Sequence, residues 1–142
     1  MEDNESLTPM MLQYRSIKEQ YKNEVVFFRL GDFYEMFDND AVEVSRLLNL
    51  TLTHRANQKM CGIPYHAAKV YIARLLRLGK KIVICEQVGE IPKGGKGITE
   101  RKVVEIITLG TAVEAEYLEG NKANYLAALS VVKGNTNIFN LQ

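Results

Sequence analysis

VVFFRL at Val25–Leu30, the dipeptide Gly31-Asp32 and FYEMF at Phe33–Phe37 form the most informative stretch of this chain. The segments VVFFRL and FYEMF are rich in β-branched and aromatic residues, which favour strands. Gly-Asp between two such runs is typical of a tight turn. The stretch therefore predicts a strand, a close connection and a short second strand.

The second strand presents an aromatic ring and a carboxylate on one face. Side chains alternate along a strand, so Phe33 and Glu35 share a face while Tyr34 and Met36 point the other way. A projecting ring can wedge between stacked bases, and a carboxylate beside it can accept hydrogen bonds from a base edge. Two other interpretations stay open: an amphipathic strand whose aromatic residues pack a core, and a protein-interaction module whose Phe33 docks in a partner's apolar pocket.

Periodicity predicts the elements around this stretch. Thr8-Pro9 is a helix-start signal, and Asp38-Asn39-Asp40 offers capping side chains for a second helix that Asn49 ends. The remaining elements are a strand over 50–53, a polar cationic loop over 54–59, a strand over 60–63, a third helix that opens at Pro64 and ends at Gly79, and a strand over 103–108.

The unbroken apolar run at 82–85 has the length and composition of a strand covered on both faces. The preceding helix is then a crossover, which indicates an α/β fold with a mixed sheet of about five to six strands packed by about three helices. We expect a complete domain over residues 1–110, a linker over 111–123, and over 124–142 the truncated start of a second domain.

Composition places the chain among soluble proteins. No stretch approaches the roughly 20 apolar residues that cross a bilayer, and the acidic N-terminus is unlike a secretory signal, so a cytoplasmic location is expected. Cys61 and Cys85 lack the CxxC spacing of zinc or redox sites and are expected to be reduced, buried thiols.

The net charge of +1 hides an uneven distribution. Residues 54–102 carry eleven Lys and Arg against three Asp and Glu, a local net charge of about +8. Such a block can contact DNA phosphates and supply affinity by releasing counterions, although it can also be an ordinary solvated surface.

Other motifs in the chain are weak. The glycines over 89–97 do not fit a phosphate-binding loop in any register, because Gly95-Lys96 is followed by Gly97. Glu100 and Lys102, with an upstream Asp32, form the skeleton of a magnesium-dependent nuclease site. That pattern is very unspecific, and a strand that begins with alternating charges is the better explanation of it.

Several ordered segments together resemble the N-terminal mismatch-recognition domain, domain I, of the bacterial MutS family of DNA mismatch-repair proteins. The matching residues are Thr8-Pro9-Met10-Met11, Gln13-Tyr14, 29–37, Leu52-Thr53, 62–67, 84–87, 100–104 and Gly110-Thr111. The resemblance spans about residues 8 to 111 and is highly specific.

The resemblance implies a role for the Phe-x-Glu motif. Phe33 would enter from the minor groove at a mispaired or unpaired base and kink the duplex, and Glu35 would hydrogen-bond the base. It also implies that Leu30 lies beside the wedge, that Asp32 belongs to the DNA-binding residues, and that Arg55 and Arg101 contact the DNA backbone.

The resemblance further implies what surrounds this chain. Its partner would be double-stranded DNA with mismatches or small insertion/deletion loops, and the chain itself would be neither an enzyme nor a cofactor-binding protein. The full-length family protein would be a homodimer that hydrolyses ATP with magnesium in a distant domain and works with a MutL-type partner. The final residues would be the start of its connector domain, and the chain would be a fragment of the whole.

Overall fold

The computed structural model describes residues 7–89 and 98–114 of the 142-residue chain. Its strands are β1 (Val25–Leu30), β2 (Phe33–Phe37), β3 (Thr53–Arg55), β4 (Gln58–Pro64), β5 (Ile82–Val88) and β6 (Glu100–Ile107). Its helices are α1 (Pro9–Gln20), α2 (Asp38–Leu48), α3 (Ala68–Arg77) and α4 (Leu109–Glu114), with one 3₁₀ turn over Tyr65–Ala67. None of the described helices is both long and apolar enough to span a membrane.

The predicted hairpin lies at the centre of the sheet. β1 and β2 pair antiparallel with Leu30 opposite Phe33, so only Gly31 and Asp32 separate the two strands. Gly31 has φ +60°, a left-handed conformation that costs a glycine little because it has no Cβ. The strand, turn and second strand predicted from VVFFRL-GD-FYEMF are therefore confirmed.

All six strands form one mixed sheet in the order β3-β4-β2-β1-β5-β6. β1 and β5 pair in parallel, with Val25 opposite Ile82, whereas the other neighbouring pairs are antiparallel. α3 connects β4 to β5, which run in the same direction, and is thus the predicted crossover. The α/β class and the mixed sheet are confirmed.

Helices cover the two faces of the sheet, and each face has its own core. α1 packs on one face, where its Met11 and Tyr14 contact Phe28 and Phe37 in a cluster that we call the α1 core. α2 and α3 pack on the other face in a larger cluster that includes Val44, Leu75, Phe27, Tyr34, Met36, Ile63 and Ile84. Alternating residues of β1 and β2 thus enter opposite cores, as strand geometry requires.

Three local predictions were wrong. The strand expected over 50–53 does not form as such, because residues 50–52 are not in a strand and only Thr53 belongs to β3. His54 and Arg55 were expected in a loop, but they belong to β3, which pairs with β4 through a two-residue turn at Ala56 and Asn57, both with positive φ. Pro64 was expected to open the third helix, but it is the last residue of β4, because a 3₁₀ turn intervenes before α3.

The helix ends also differ in part from expectation. Thr8 caps α1 as predicted, accepting a hydrogen bond from the Met11 backbone N–H. No side chain caps α2, and Asp40 is instead buried, where it accepts from the Val26 backbone N–H at 3.0 Å and pairs with Lys18 at 3.0 Å. Asn49 ends α2 in the left-handed conformation, as predicted.

The predicted domain boundaries fall largely beyond the described residues. α4 occupies 109–114, which includes the first part of the expected linker. Residues 115–142, with the rest of that linker and the expected second domain, and most of the glycine-rich stretch 89–97 lie outside the described residues.

Candidate nucleic-acid interface

Phe33 lies at the end of the sheet, as the first residue of β2. Phe33 is 44 % exposed, whereas the other four residues of β2 are buried. Strand register places Leu30 on one side of it and Pro64 on the other. Leu30, partly buried, packs against the α1 core, so the exposed ring sits on a backbone held from both sides.

Asp32 lies in the turn that precedes Phe33 and is exposed. Its carbonyl accepts a hydrogen bond from the Tyr65 backbone N–H at 2.8 Å. The turn is thereby tied to the 3₁₀ turn after β4, which limits how far Phe33 can shift.

Glu35 shares a sheet face with Phe33, as predicted. A Cβ atom placed on Gly62 of β4 would lie 3.6 Å from Phe33 Cδ2 and 3.7 Å from Glu35 Cγ, so both side chains flank this glycine. Glu35 is only 5 % exposed. The two residues of the motif thus stand together, one open to solvent and the other covered.

Arg55 covers the Glu35 carboxylate with two hydrogen bonds. Its Nε donates to Oε1 at 2.8 Å and its Nη2 donates to Oε2 at 2.9 Å. This two-point geometry is the stronger form of an arginine–carboxylate pair. The Arg55 side chain itself remains 45 % exposed, so one partner of the pair faces solvent and the other does not.

Arg101 lies near the same carboxylate but is 9 % exposed. Its Nε donates to the Arg29 carbonyl at 2.6 Å, its Nη1 donates to the Thr99 carbonyl at 2.9 Å, and its guanidinium lies 5.0 Å from the centre of the Phe28 ring. Burial lowers the pKa of Arg101, and the Glu35 carboxylate opposes that shift. Arg101 thus ties β6 to β1 in the structure as it stands.

Sequence reasoning missed the residues that support this site. Arg29 Nε donates to the Gly31 carbonyl at 2.6 Å, its Nη1 donates to Glu86 at 2.9 Å, and its guanidinium lies 4.0 Å from the centre of the Tyr65 ring. Arg29 therefore fastens the turn before Phe33 to β5 and to the 3₁₀ turn. Its position as the one charged residue in the VVFFRL run was a signal that could have identified it.

Gln13 of α1 is a second supporting residue. Its Oε1 accepts from the Arg101 backbone N–H at 2.8 Å, and its Nε2 donates to the Thr99 carbonyl at 3.1 Å. Gln13 thus links α1 to the start of β6 through these two backbone groups. The apolar periodicity that predicts α1 does not indicate this role for Gln13.

The basic block does not form one surface in the part of it that the structure describes. Arg55 lies beside Glu35, whereas Lys69, Arg74 and Arg77 belong to α3, which covers the opposite face of the sheet. A cavity of about 440 Å³ also lies on the α3 side, lined by Tyr34, Tyr65, His66, Ala68, Lys69, Ile72 and Ile84. Neither Phe33 nor Glu35 lines this cavity, so the candidate site is an exposed edge and not a pocket.

The nuclease alternative gains no support from the described residues. Glu100 and Lys102 lie on the edge strand β6 with largely exposed side chains, 3.9 Å apart at their nearest charged atoms. In residues 7–89 and 98–114, no three or more His, Cys, Asp or Glu are grouped so that they could hold a metal ion.

Comparisons with known proteins bear on this site. A family model described as MutS domain I matches residues 8–116. Proteins named DNA mismatch repair protein MutS are similar to the chain: one from Treponema denticola is 68 % identical over 126 residues, which cover 89 % of this chain and 14 % of the relative. One from Borreliella burgdorferi is 52 % identical over 133 residues, which cover 94 % and 15 %. The chain thus spans about a seventh of the length of these relatives.

Proposed function

The chain belongs to the MutS domain I family, and on that premise we propose that it is the DNA-reading segment of a MutS-type mismatch-repair protein, in which Phe33 enters the duplex at a mispaired or unpaired base. The observation that carries this proposal is the 44 % exposure of Phe33 on an otherwise buried strand. Large apolar side chains usually lie inside a protein, and this one is exposed next to the two-residue turn between β1 and β2.

The physical basis of the reading is a small difference between comparable energies. Stacking of an aromatic side chain on a base contributes roughly 1 to 3 kcal/mol. Kinking the duplex costs a few kcal/mol for each unstacked step. A mismatch has already lost part of the pairing and stacking that resist deformation, so insertion is favourable there and unfavourable in matched DNA. Phe33 thus reads deformability and not sequence.

The neighbouring residues have distinct roles in the proposal. Glu35 accepts a hydrogen bond from the edge of the displaced base, since a carboxylate among phosphates is repelled unless it gains a donor or takes a proton. Leu30 and Asp32 contact the DNA beside the wedge. Arg55 and Arg101 bind the backbone, although Arg101 must first give up hydrogen bonds to the Arg29 and Thr99 carbonyls.

The remaining properties of the whole protein are proposals too. The full-length protein here means a protein that carries this sequence and has the length of the matched relatives. We expect it to act as a homodimer on DNA with mismatches or small loops. ATP and magnesium bind elsewhere in it, and a MutL-type protein is its partner. The described segment performs no catalysis and works by binding and bending DNA.

The experiment is Phe33→Ala in the full-length protein, with affinity measured on a duplex carrying one G·T mismatch and on the matched duplex. The variant should lose most of its mismatch preference, because the stacking energy is removed only where insertion occurs. Leu12→Ala is the matched control, since Leu12 is another exposed apolar residue, on α1. An unchanged preference in Phe33→Ala would refute the wedge.

A further inference from the structure

The Glu35–Arg55 pair poses a problem for the proposed reading of the base. Each Glu35 carboxylate oxygen already accepts a hydrogen bond from Arg55, at 2.8 and 2.9 Å, and the residue is almost entirely covered. A base N–H cannot approach a buried acceptor from solvent while the guanidinium lies over it. Glu35 must therefore be uncovered before it can read a base.

Arg55 lies where it can move away from Glu35. It lies at the end of β3, the edge strand of the sheet, and directly before the Ala56-Asn57 turn. Nearly half of its side chain is exposed, and an arginine that binds a carboxylate with two donors can bind a phosphate with the same donors. A DNA backbone that arrives next to Phe33 thus offers Arg55 a second anion.

We propose that Arg55 is a specificity-determining residue that exchanges partners: it stays on Glu35 when the DNA is matched and passes to a backbone phosphate when Glu35 accepts a base N–H at a mismatch. The inference rests on the proposed function of Phe33 and Glu35. It extends that function by making the phosphate contact of Arg55 conditional on the mismatch. On matched DNA the pair also neutralises Glu35, so the carboxylate does not repel the phosphates.

The exchange has a measurable signature in salt dependence. Each phosphate contact adds about 0.9 to the slope of log affinity against log salt concentration. The parent protein should therefore have a slope about 0.9 steeper on mismatched than on matched DNA from this contact alone. This corresponds to about a threefold larger loss of affinity between 50 and 200 mM salt.

The test is a double-mutant cycle in the full-length protein with Glu35→Gln, Arg55→Gln and the double variant, each measured on both duplexes over a range of salt. Glu35→Gln cannot hold the guanidinium as an ion pair, so Arg55 should bind a phosphate on matched DNA as well. Matched-DNA affinity should rise, the matched slope should steepen by about 0.9, and the gain should therefore be about threefold larger at 50 than at 200 mM salt. In the double variant that gain should disappear.

Two results would overturn the exchange. If the matched-DNA gain of Glu35→Gln persists in the Arg55→Gln background, the gain comes from removing a negative charge near phosphates and Arg55 is not involved. If Arg55→Gln lowers the salt slope equally on both duplexes, Arg55 is a constant phosphate contact. Lys59→Gln is the matched control, because it removes one positive charge from the same β3–β4 hairpin and should change both duplexes alike.

The experiments distinguish unfolding of a variant, failure of the proposed function and failure of the exchange. Arg55→Gln leaves a covered carboxylate without its cation, but the double variant carries no such charge, so the cycle can be read from Glu35→Gln and the double variant if the single arginine variant unfolds. Failure of the wedge appears as retained mismatch preference in Phe33→Ala. Failure of the exchange appears instead as a matched-DNA gain of Glu35→Gln that does not depend on Arg55, or as an equal loss of salt slope on both duplexes in Arg55→Gln.

Discussion

Phe33 and Glu35 project from the same face of β2, yet Phe33 is 44 % exposed and Glu35 is 5 % exposed beneath Arg55. The ring can meet DNA without any rearrangement, whereas the carboxylate needs one. Under the proposed function, Phe33 would therefore test the deformability of the DNA first and Glu35 would contact the base edge second. The Glu35 contact, which requires a rearrangement, would form only after the ring has entered.

Arg29 is expected to position the wedge. Arg29→Met removes the hydrogen bonds to the Gly31 carbonyl and to Glu86, so the turn before Phe33 should exchange its amide hydrogens faster. Mismatched-DNA affinity should fall about fivefold, the equivalent of about 1 kcal/mol, with a smaller effect on matched DNA. Hydrogen exchange and binding on the two duplexes measure these effects. Arg46→Met, an exposed arginine of α2, is the control, and an equal loss on both duplexes would argue against a positioning role.

Arg101 is expected to stabilise the fold as well as bind DNA. Arg101→Leu leaves the Arg29 and Thr99 carbonyls without a charged donor, so the free energy of unfolding should fall by on the order of 2 kcal/mol. Urea unfolding of the chain measures this loss. If the variant keeps its stability yet binds both duplexes more weakly, Arg101 acts on DNA alone.

Lys18 and Asp40 are expected to make stability depend on pH. Burial raises the pKa of Asp40, while the Val26 N–H and Lys18 oppose that rise. A carboxyl group whose folded pKa is raised stabilises the fold most when it is protonated, so its contribution declines as pH rises from the ordinary pKa of 3.8 through the folded pKa. Lys18→Met removes the opposing cation and should widen this pH window.

The Lys18→Met variant should lose about 3 kcal/mol at pH 7, because a buried carboxylate is left without its cation. The loss should shrink as pH falls. Lys80→Met is the control, since the more exposed Lys80–Glu43 pair should contribute less than about 1 kcal/mol. Chemical unfolding at a series of pH values distinguishes them, and a pH-independent loss in Lys18→Met would contradict the assignment.

The two cysteines are expected to be unreactive in the folded chain. Burial raises the pKa of Cys61 to about 11 and that of Cys85 to about 12. Little thiolate, the reactive form, is then present at pH 8. Iodoacetamide should label neither residue before unfolding and both in urea. Rapid labelling of either thiol in the native chain at pH 8 would contradict the packing of that residue.

The sequence was sufficient for the elements whose signal is local. VVFFRL and FYEMF are rich in residues that favour strands, and Gly31 permits the turn between them. The apolar run at 82–85 predicted a strand covered on both faces. The β3–β4 hairpin was missed because its Ala56-Asn57 turn lacks the glycine that usually marks such turns, and because Arg55 reads as a loop residue.

The site was predictable only as far as alternation along one strand allows. Phe33 and Glu35 on one face follow from the twofold period of β2. The Glu35–Arg55 pair joins residues from strands that are not neighbours, and the burial of Arg101 depends on carbonyls of β1 and on the stretch before β6. Neither long-range contact has a local pattern. The uneven charge of residues 54–102 also suggested a single basic surface, but its described basic residues lie on both sheet faces.

The most direct measurement of the central claim places a photocrosslinker at residue 33. Phe33→p-benzoylphenylalanine in the full-length protein, irradiated on a duplex with one mismatch, should crosslink chiefly at the mispaired base or its stacked neighbour, and little on matched DNA. Crosslinks spread evenly along both duplexes, or formed only with protein, would contradict insertion of the ring at the mismatch.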